Sequence, residues 1–282
     1  MLSAILVLIH NSQNQSINYS FYFMNKSASE IRLAARTALR GHWAEAAMLA
    51  FVYLVINGTL SHLNVLFSIL LLPLGWGFAI TFLRHRRGIE DSFNIQHLCD
   101  GYKEFSRILP TLFMKELYVI LWILAFMIPY VVMFLFVVVF MKDVDLPSIS
   151  SVLSPEIWEN EEGYPTLAGL MLILLLIIPP CIPAFVKSLS YSMANYILYE
   201  NEQMGTKAID LSMKMMNGHK MELFLLHLSF IGWGILSILT LGIGYIWLVP
   251  YKNASLAEFY EYIKTKYDQN NINNDEYQRL ER

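Results

Sequence analysis

Charged side chains leave four long apolar stretches in this chain. Ala46–Leu83 runs 38 residues without Asp, Glu, Lys or Arg, and Leu117–Met141, Gly163–Val186 and Leu223–Tyr251 run 25, 24 and 29. A bilayer hydrocarbon core of about 30 Å takes roughly 20 apolar residues as one helix. Within it a backbone satisfies its own polar groups only as a helix or a closed barrel. Each stretch therefore predicts at least one transmembrane helix, and the first holds two, divided near Ser61-His62-Leu63-Asn64. The last divides near Leu239-Thr240-Leu241-Gly242. The pattern predicts an all-α polytopic membrane bundle of six spans, over about 44–61, 64–84, 111–141, 166–199, 221–238 and 241–262. The third and fourth are long enough to tilt, kink or protrude, with Pro129 in one and Pro179, Pro180 and Pro183 in the other as kink points. The sixth contains Lys252 and Glu258, so one span followed by a re-entrant or interfacial segment stays open as an alternative.

Amphipathic helices precede the hairpins. Ser27 and Glu30 have the Ser-x-x-Glu spacing of a capping box. Behind them Ile31, Ala34, Ala35, Ala38 and Leu39 share one helical face, while Arg32, Arg36 and Arg40 recur on another. Such a helix lies in the headgroup plane with its arginines near lipid phosphates, or packs on the bundle behind a solvated basic face. Both readings place it in the cytoplasm.

The chain repeats itself. Gly41-His42-Trp43-Ala44-Glu45 and Gly218-His219-Lys220-Met221-Glu222 both read Gly-His-x-x-Glu, and each His lies 31 residues before a proline, Pro73 or Pro250. A middle unit follows with drift: Asp91 or Ser92 caps a helix carrying Ile95, Leu98, Tyr102, Phe105 and Leu109, and Pro110 replaces the Gly-His break. The fold expected is three hairpin repeats, each preceded by a cytoplasmic amphipathic helix and arranged about an axis along the membrane normal.

Charge sets the orientation, because cytoplasmic loops carry excess Lys and Arg. Lys26, Arg32, Arg36 and Arg40 precede the first span; Arg84, Arg86, Arg87, Lys103 and Arg107 follow the second. Lys207, Lys214 and Lys220 precede the fifth. The segment between spans three and four has Lys142 beside Asp143, Asp145, Glu156, Glu159, Glu161 and Glu162, so it faces outward and both termini face the cytoplasm. Composition agrees: 15% charged residues against about 25% in a typical soluble domain. A net charge of −3 offers nothing to nucleic acid. Cys99 and Cys181 stand far apart without His or Cys at ligand spacing, and read as ordinary thiols. Residues 1–23 lack a span-length run, a basic flank and a cleavage site. They read as a spurious or disordered extension ahead of a start at Met24, or as a short membrane-surface segment. Residues 24–267 form the integral membrane domain, and 268–282 a disordered polar tail.

The motifs carry a resemblance. The opening Ser27-x-x-Glu-Ile-Arg with Gly41-His42-Trp43, the run Tyr191-Ser192-Met193-Ala194, and above all Ser212-Met213-Lys214-Met215-Met216-Asn217-Gly218-His219-Lys220 through Leu228-Ser229-Phe230-Ile231-Gly232-Trp233 to Pro250-Tyr251 and Phe259-Tyr260 resemble the bacterial membrane proteins filed as domain of unknown function 975. More distantly the chain is similar to the membrane portion of some glycerophosphodiester phosphodiesterases. The resemblance implies a bacterial inner membrane and no particular activity.

Candidate chemistry is sparse. His42 with Glu45 and His219 with Glu222 each share a helical face. Together they have donor types for a divalent metal, but a polar break where an interfacial helix turns into a span explains them as well, and no metal or cofactor is expected. Lys187, Asn195, Lys252, Asn253 and Glu258 follow Pro183 and Pro250 on the cytoplasmic side. Ionisable residues within spans usually face the bundle interior or a cavity. If the two lysines converge they form a pocket for anionic lipid headgroups or solutes, with Glu258 as counter-charge; otherwise each snorkels to the interface. No phosphate loop, nucleophile triad or zinc motif occurs, and no loop holds a catalytic domain. Two functions remain: a non-catalytic scaffold or accessory protein of the envelope with a membrane-protein partner, or a small transporter or lipid-handling protein.

In a background with Cys99 and Cys181 replaced, Ser150→Cys and Glu161→Cys are expected to react with an impermeant maleimide added outside. Labelling from the cytoplasmic side alone overturns the topology.

Overall fold

The computed structural model describes residues 26–62, 64–141, 167–201 and 205–280. The segment 1–23 and the acidic loop expected to face outward, on which two expectations rest, lie outside the described residues. Every regular element among the described residues is helical. In order they are α1 (Ala28–Ala38), α2 (Trp43–Ser61), α3 (Val65–Leu70), α4 (Leu72–Arg86), a 3₁₀ turn (Ile95–Cys99), α5 (Asp100–Lys103), α6 (Phe105–Met141), α7 (Leu167–Tyr191), α8 (Ala194–Glu200), α9 (Lys207–Met215), α10 (Lys220–Leu228), α11 (Ile231–Leu239) and α12 (Tyr245–Leu280).

Local chemistry explains the starts and stops. The Glu30 amide donates to Ser27 Oγ at 3.3 Å and the Ser27 amide to Glu30 Oε2 at 2.8 Å, which closes the capping box on α1. Ile31, Ala35 and Leu39 then bury the expected apolar face. The two Gly-His breaks have matching backbones. Gly41 has φ 91° and Gly218 φ 84°, a left-handed conformation that Gly adopts without penalty and that ends a helix. His42 follows at φ −117°, ψ 14° and His219 at φ −111°, ψ 3°. Asn64 opens α3 by accepting from the Leu66 amide at 3.3 Å, and Pro73 sits in the first turn of α4, where its missing N–H costs nothing.

Among the described residues four helical segments are long and apolar enough to cross a membrane: Trp43–Ser61, Leu66–Arg86, Phe105–Met133 and Lys220–Leu239. The segment read as a sixth span lies in α12, which carries Lys252, Glu258 and Glu261 and is not among them. Several boundaries differ from the pattern. The expected helix 166–199 is two, α7 and α8, because the Met193 amide leaves the helical ladder for the Ser212 hydroxyl at 3.2 Å. The fifth span is α10 and α11, divided at Ser229 and Phe230. Pro110 does not break the chain: α6 runs through it and through Pro129, as membrane helices tolerate when neighbouring groups meet the freed carbonyls. The helix expected from Asp91 or Ser92 is capped by Asn94 instead, whose Oδ1 accepts from the Gln96 amide at 3.0 Å, and it breaks into the 3₁₀ turn and α5. The stretch 268–280, read as an unstructured polar tail, continues α12 to Leu280. Extending a docked helix adds a hydrogen bond per residue without a new nucleation cost.

Two compact units result. The smaller, Phe113–Tyr191, holds Trp122 stacked on Phe126 at 5.9 Å and Tyr118 beside Tyr191 at 6.3 Å. Ile120, Leu121, Leu124 and Ile128 of α6 stay exposed, as suits a helix whose surroundings are as apolar as its side chains.

The larger unit joins residues up to Leu112 with those from Ser192 onward. Its centre is α4, where Leu74 and every residue from Trp76 to Leu83 are buried. α12 packs against α1, α2 and α4, and α4 also packs against the 3₁₀ turn, α5 and α8. Two glycines permit the closest approach. A Cβ on Gly77 would stand 2.6 Å from the carbonyl oxygens of His97 and Leu98, and one on Gly101 would stand 2.8 Å from the Pro73 carbonyl carbon. Both obstacles are backbone, so neither side chain can be accommodated by a rotamer change. Gly101→Ala is expected to lower stability by about 2 kcal/mol through overpacking. Gly58→Ala, in α2 with nothing within 4 Å, is expected to be neutral or stabilising by up to about 1 kcal/mol. Thermal unfolding of the two variants in detergent checks the contrast.

Candidate functional site

The buried helix α4 ends in charge. Its last turn carries Arg84, His85 and Arg86, with Arg87 at the cap, which suits the partial negative charge of a helix C-terminus. Each arginine has carboxylate partners from elsewhere in the chain. Arg84 Nη1 lies 2.5 Å from Asp100 and 3.3 Å from Glu90, while its Nε donates to the Tyr199 hydroxyl at 3.2 Å. Arg86 pairs with Glu258, whose carboxylate is only 4% exposed. Arg87 pairs with Glu200 and, at 2.6 Å, with Glu261. Lys264 reaches Glu200 at 2.8 Å. Arg107 pairs with Glu104 and donates to the Leu198 carbonyl at 2.7 Å. His85 bridges two backbone segments, with Nε2 3.0 Å from the Ala38 carbonyl and Nδ1 3.1 Å from that of Glu90.

Beside this layer lies a polar cavity of about 430 Å³, lined by Trp76, Arg84, His97, Asp100, Arg107 and Tyr199 among others. Burial raises the Asp100 carboxyl, but Lys103 and Arg84 outweigh it and hold it below the usual aspartate value. Burial likewise raises Glu200, and Lys264 and Arg87 hold it below the ordinary glutamate value. These carboxylates are charged and occupied at neutral pH, which suits clamping better than proton transfer.

The sequence-selected residues have separate employments. Lys187, in the smaller unit, sits over the Trp122 ring with Nζ 4.5 Å from its centre. Lys252, in the larger unit, is exposed. Glu258 gives its charge to Arg86 rather than to a lysine. The Asn253 side-chain amide donates to the Val249 carbonyl at 2.9 Å, and the Asn195 backbone carbonyl accepts from Trp76 Nε1 at 2.9 Å. At the breaks, His42 Nδ1 lies 3.4 Å from Glu45 and His219 Nδ1 3.0 Å from Glu222. Each glutamate also reaches a neighbouring segment: Glu45 accepts from the Phe93 amide at 3.2 Å, and Glu222 lies 3.7 Å from Lys266. Among the described residues no group of three or more His, Cys, Asp or Glu side chains gathers as a metal site. The arginine layer escaped the sequence reading because Arg84, Arg86, Arg87 and Arg107 were weighed there only for topology. Its signal was the opposite charge at Glu258 and Glu261, one helical turn apart in a segment otherwise apolar enough to be read as a span.

Fold and site together define a helical membrane-type protein that has, among the described residues, four helices long and apolar enough to cross a membrane and an ion-paired layer at the end of its most buried helix. The chain belongs to the family described as "Protein of unknown function (DUF975)", whose model matches residues 24–267. No curated protein and no solved structure matches it, so the likeness to glycerophosphodiester phosphodiesterases is not supported.

Both carboxyls are depressed in the folded protein, so their stabilisation is complete above their unfolded values of 3.8 and 4.5 and is lost as pH falls through the lower folded values. Their contribution to the thermal midpoint is expected to be complete above about pH 5 and to fall below 4.5. Glu200→Gln should lower the plateau by about 2 kcal/mol, since Lys264 loses its carboxylate and Arg87 keeps Glu261 alone, and should flatten the acid fall. Calorimetry in detergent across that range checks both.

Proposed function

We propose that this protein is a non-catalytic, multi-pass scaffold or accessory protein of the bacterial inner membrane. It crosses six times, as three helix-plus-hairpin repeats, with both termini in the cytoplasm. The matching backbone at Gly41-His42 and Gly218-His219 supports the repeat, and the Lys and Arg of the flanking segments support the orientation. The observation that carries the functional reading is the mutual occupation of the charged layer. Asp100, Glu200, Glu258 and Glu261 each hold an arginine of α4 or its cap. A general acid or base needs room for a substrate; carboxylates already engaged by cations serve instead as joints between segments. The polar cavity beside Arg84 and Arg107 favours the second reading, transport or lipid handling.

Reconstitution into liposomes separates the two. A scaffold is expected to leave trapped anionic solute and leaflet-labelled phospholipid in place, while in-cell photo-cross-linking from α1 recovers one membrane partner at fixed ratio. Protein-dependent flux or lipid flip, abolished by Arg107→Gln, overturns the scaffold in favour of transport.

A further inference from the structure

The arginines of α1 contrast with those of α4. Arg36 is exposed and has no ion pair among the described residues, and the same holds for Arg40. Arg32 spends one guanidinium nitrogen on the Ser229 carbonyl at 3.4 Å, while its Nε is buried without a hydrogen-bond partner. Of the three, Arg36 borders the neighbouring groove.

Next to this strip the surface is strongly apolar. A groove of about 460 Å³ begins at Arg36 and Trp43 and continues along Trp233, Leu236, Trp247 and Tyr251. Trp43 meets Tyr251 edge-on at 6.1 Å, and Phe230 meets the same ring at 5.1 Å, so Tyr251 is fixed from both sides at the head of the groove. Trp233 and Trp247 are each 51% exposed, and Trp233 and Leu236 lie on a segment able to cross a membrane. At the far turn Gly244 lets α11 and α12 come together: a Cβ there would stand 2.7 Å from Ser237 Oγ. From Trp233 to Thr240 the groove extends about 10 Å along α11 at 1.5 Å per residue. One end is cationic, the rest is an aromatic and aliphatic trough at membrane level.

We propose that this groove is a binding site for an anionic phospholipid, with the phosphate on Arg36 and one acyl chain along Trp233 and Trp247. A free phosphate would leave the trough exposed, and a neutral lipid would leave Arg36 bare; an amphiphile with an anionic head matches both. The site goes beyond the scaffold reading and does not depend on it.

Native mass spectrometry of the full chain, titrated with phosphatidylglycerol or phosphatidylcholine of the same acyl chains, tests the site. The wild type is expected to retain phosphatidylglycerol about fivefold more strongly, the scale of one basic residue at an anionic headgroup. Arg36→Gln, at an exposed position without ion pairs, should bring that ratio to about one. The double variant Trp233→Ala with Trp247→Ala should weaken both lipids alike and preserve the ratio. Brominated phosphatidylglycerol should quench tryptophan fluorescence in the wild type more than in the double variant. Equal retention of the two lipids by the wild type, an unchanged ratio in Arg36→Gln, or quenching that survives the tryptophan substitutions overturns the proposal. Helical circular dichroism of each variant verifies folding.

Discussion

The larger unit depends on the need of the α4 arginines for carboxylates. At the end of buried α4 Arg84 and Arg87 are half-buried, and Arg86 is exposed over a buried Glu258; a charge shielded from water is tolerated only when paired. Asp100 comes from α5, Glu200 from the end of α8, Glu258 and Glu261 from α12. Each partner arrives on a different segment, so satisfying the arginines also positions those segments. The pairing is not a large source of net stability, because desolvation offsets most of the attraction. It acts on specificity: any arrangement that misplaces α12 or α8 strands a charge.

Close backbone packing accompanies that constraint. Gly77 and Gly101 let the 3₁₀ turn and α5 lie directly on α4, which brings Asp100 to Arg84. The break glutamates work in a related way: Glu45 reaches the Phe93 amide and Glu222 reaches Lys266. The Gly-His-x-x-Glu element turns a surface helix into a span and leaves a carboxylate to fasten the next segment.

Charge is thus used in two manners on one side of the molecule. Around α4 cation and anion are matched, and the layer is closed. Along α1 Arg36 borders an apolar groove instead of an acid. That asymmetry separates a joint from a surface able to receive an anionic amphiphile, and it follows from where the acidic residues lie.

The sequence alone determined what depends on local composition and spacing. Charge-free runs located the apolar helices, because the hydrocarbon core admits few charges. Ser27 with Glu30 announced the start of α1, and Gly41 and Gly218 announced the breaks, because capping and left-handed turns are properties of neighbouring residues. The family resemblance was legible from the block around Gly218-His219. Tertiary structure decided the rest. Nothing local to Met193 says that its amide goes to Ser212, so 166–199 read as one helix. Nothing local to Glu258 says that its partner is Arg86, 172 positions earlier in the chain, so it was assigned to a lysine pocket. Ion pairs, helix splits and the groove beneath Arg36 are products of side chains far apart in sequence meeting in space, and periodicity carries no record of such meetings.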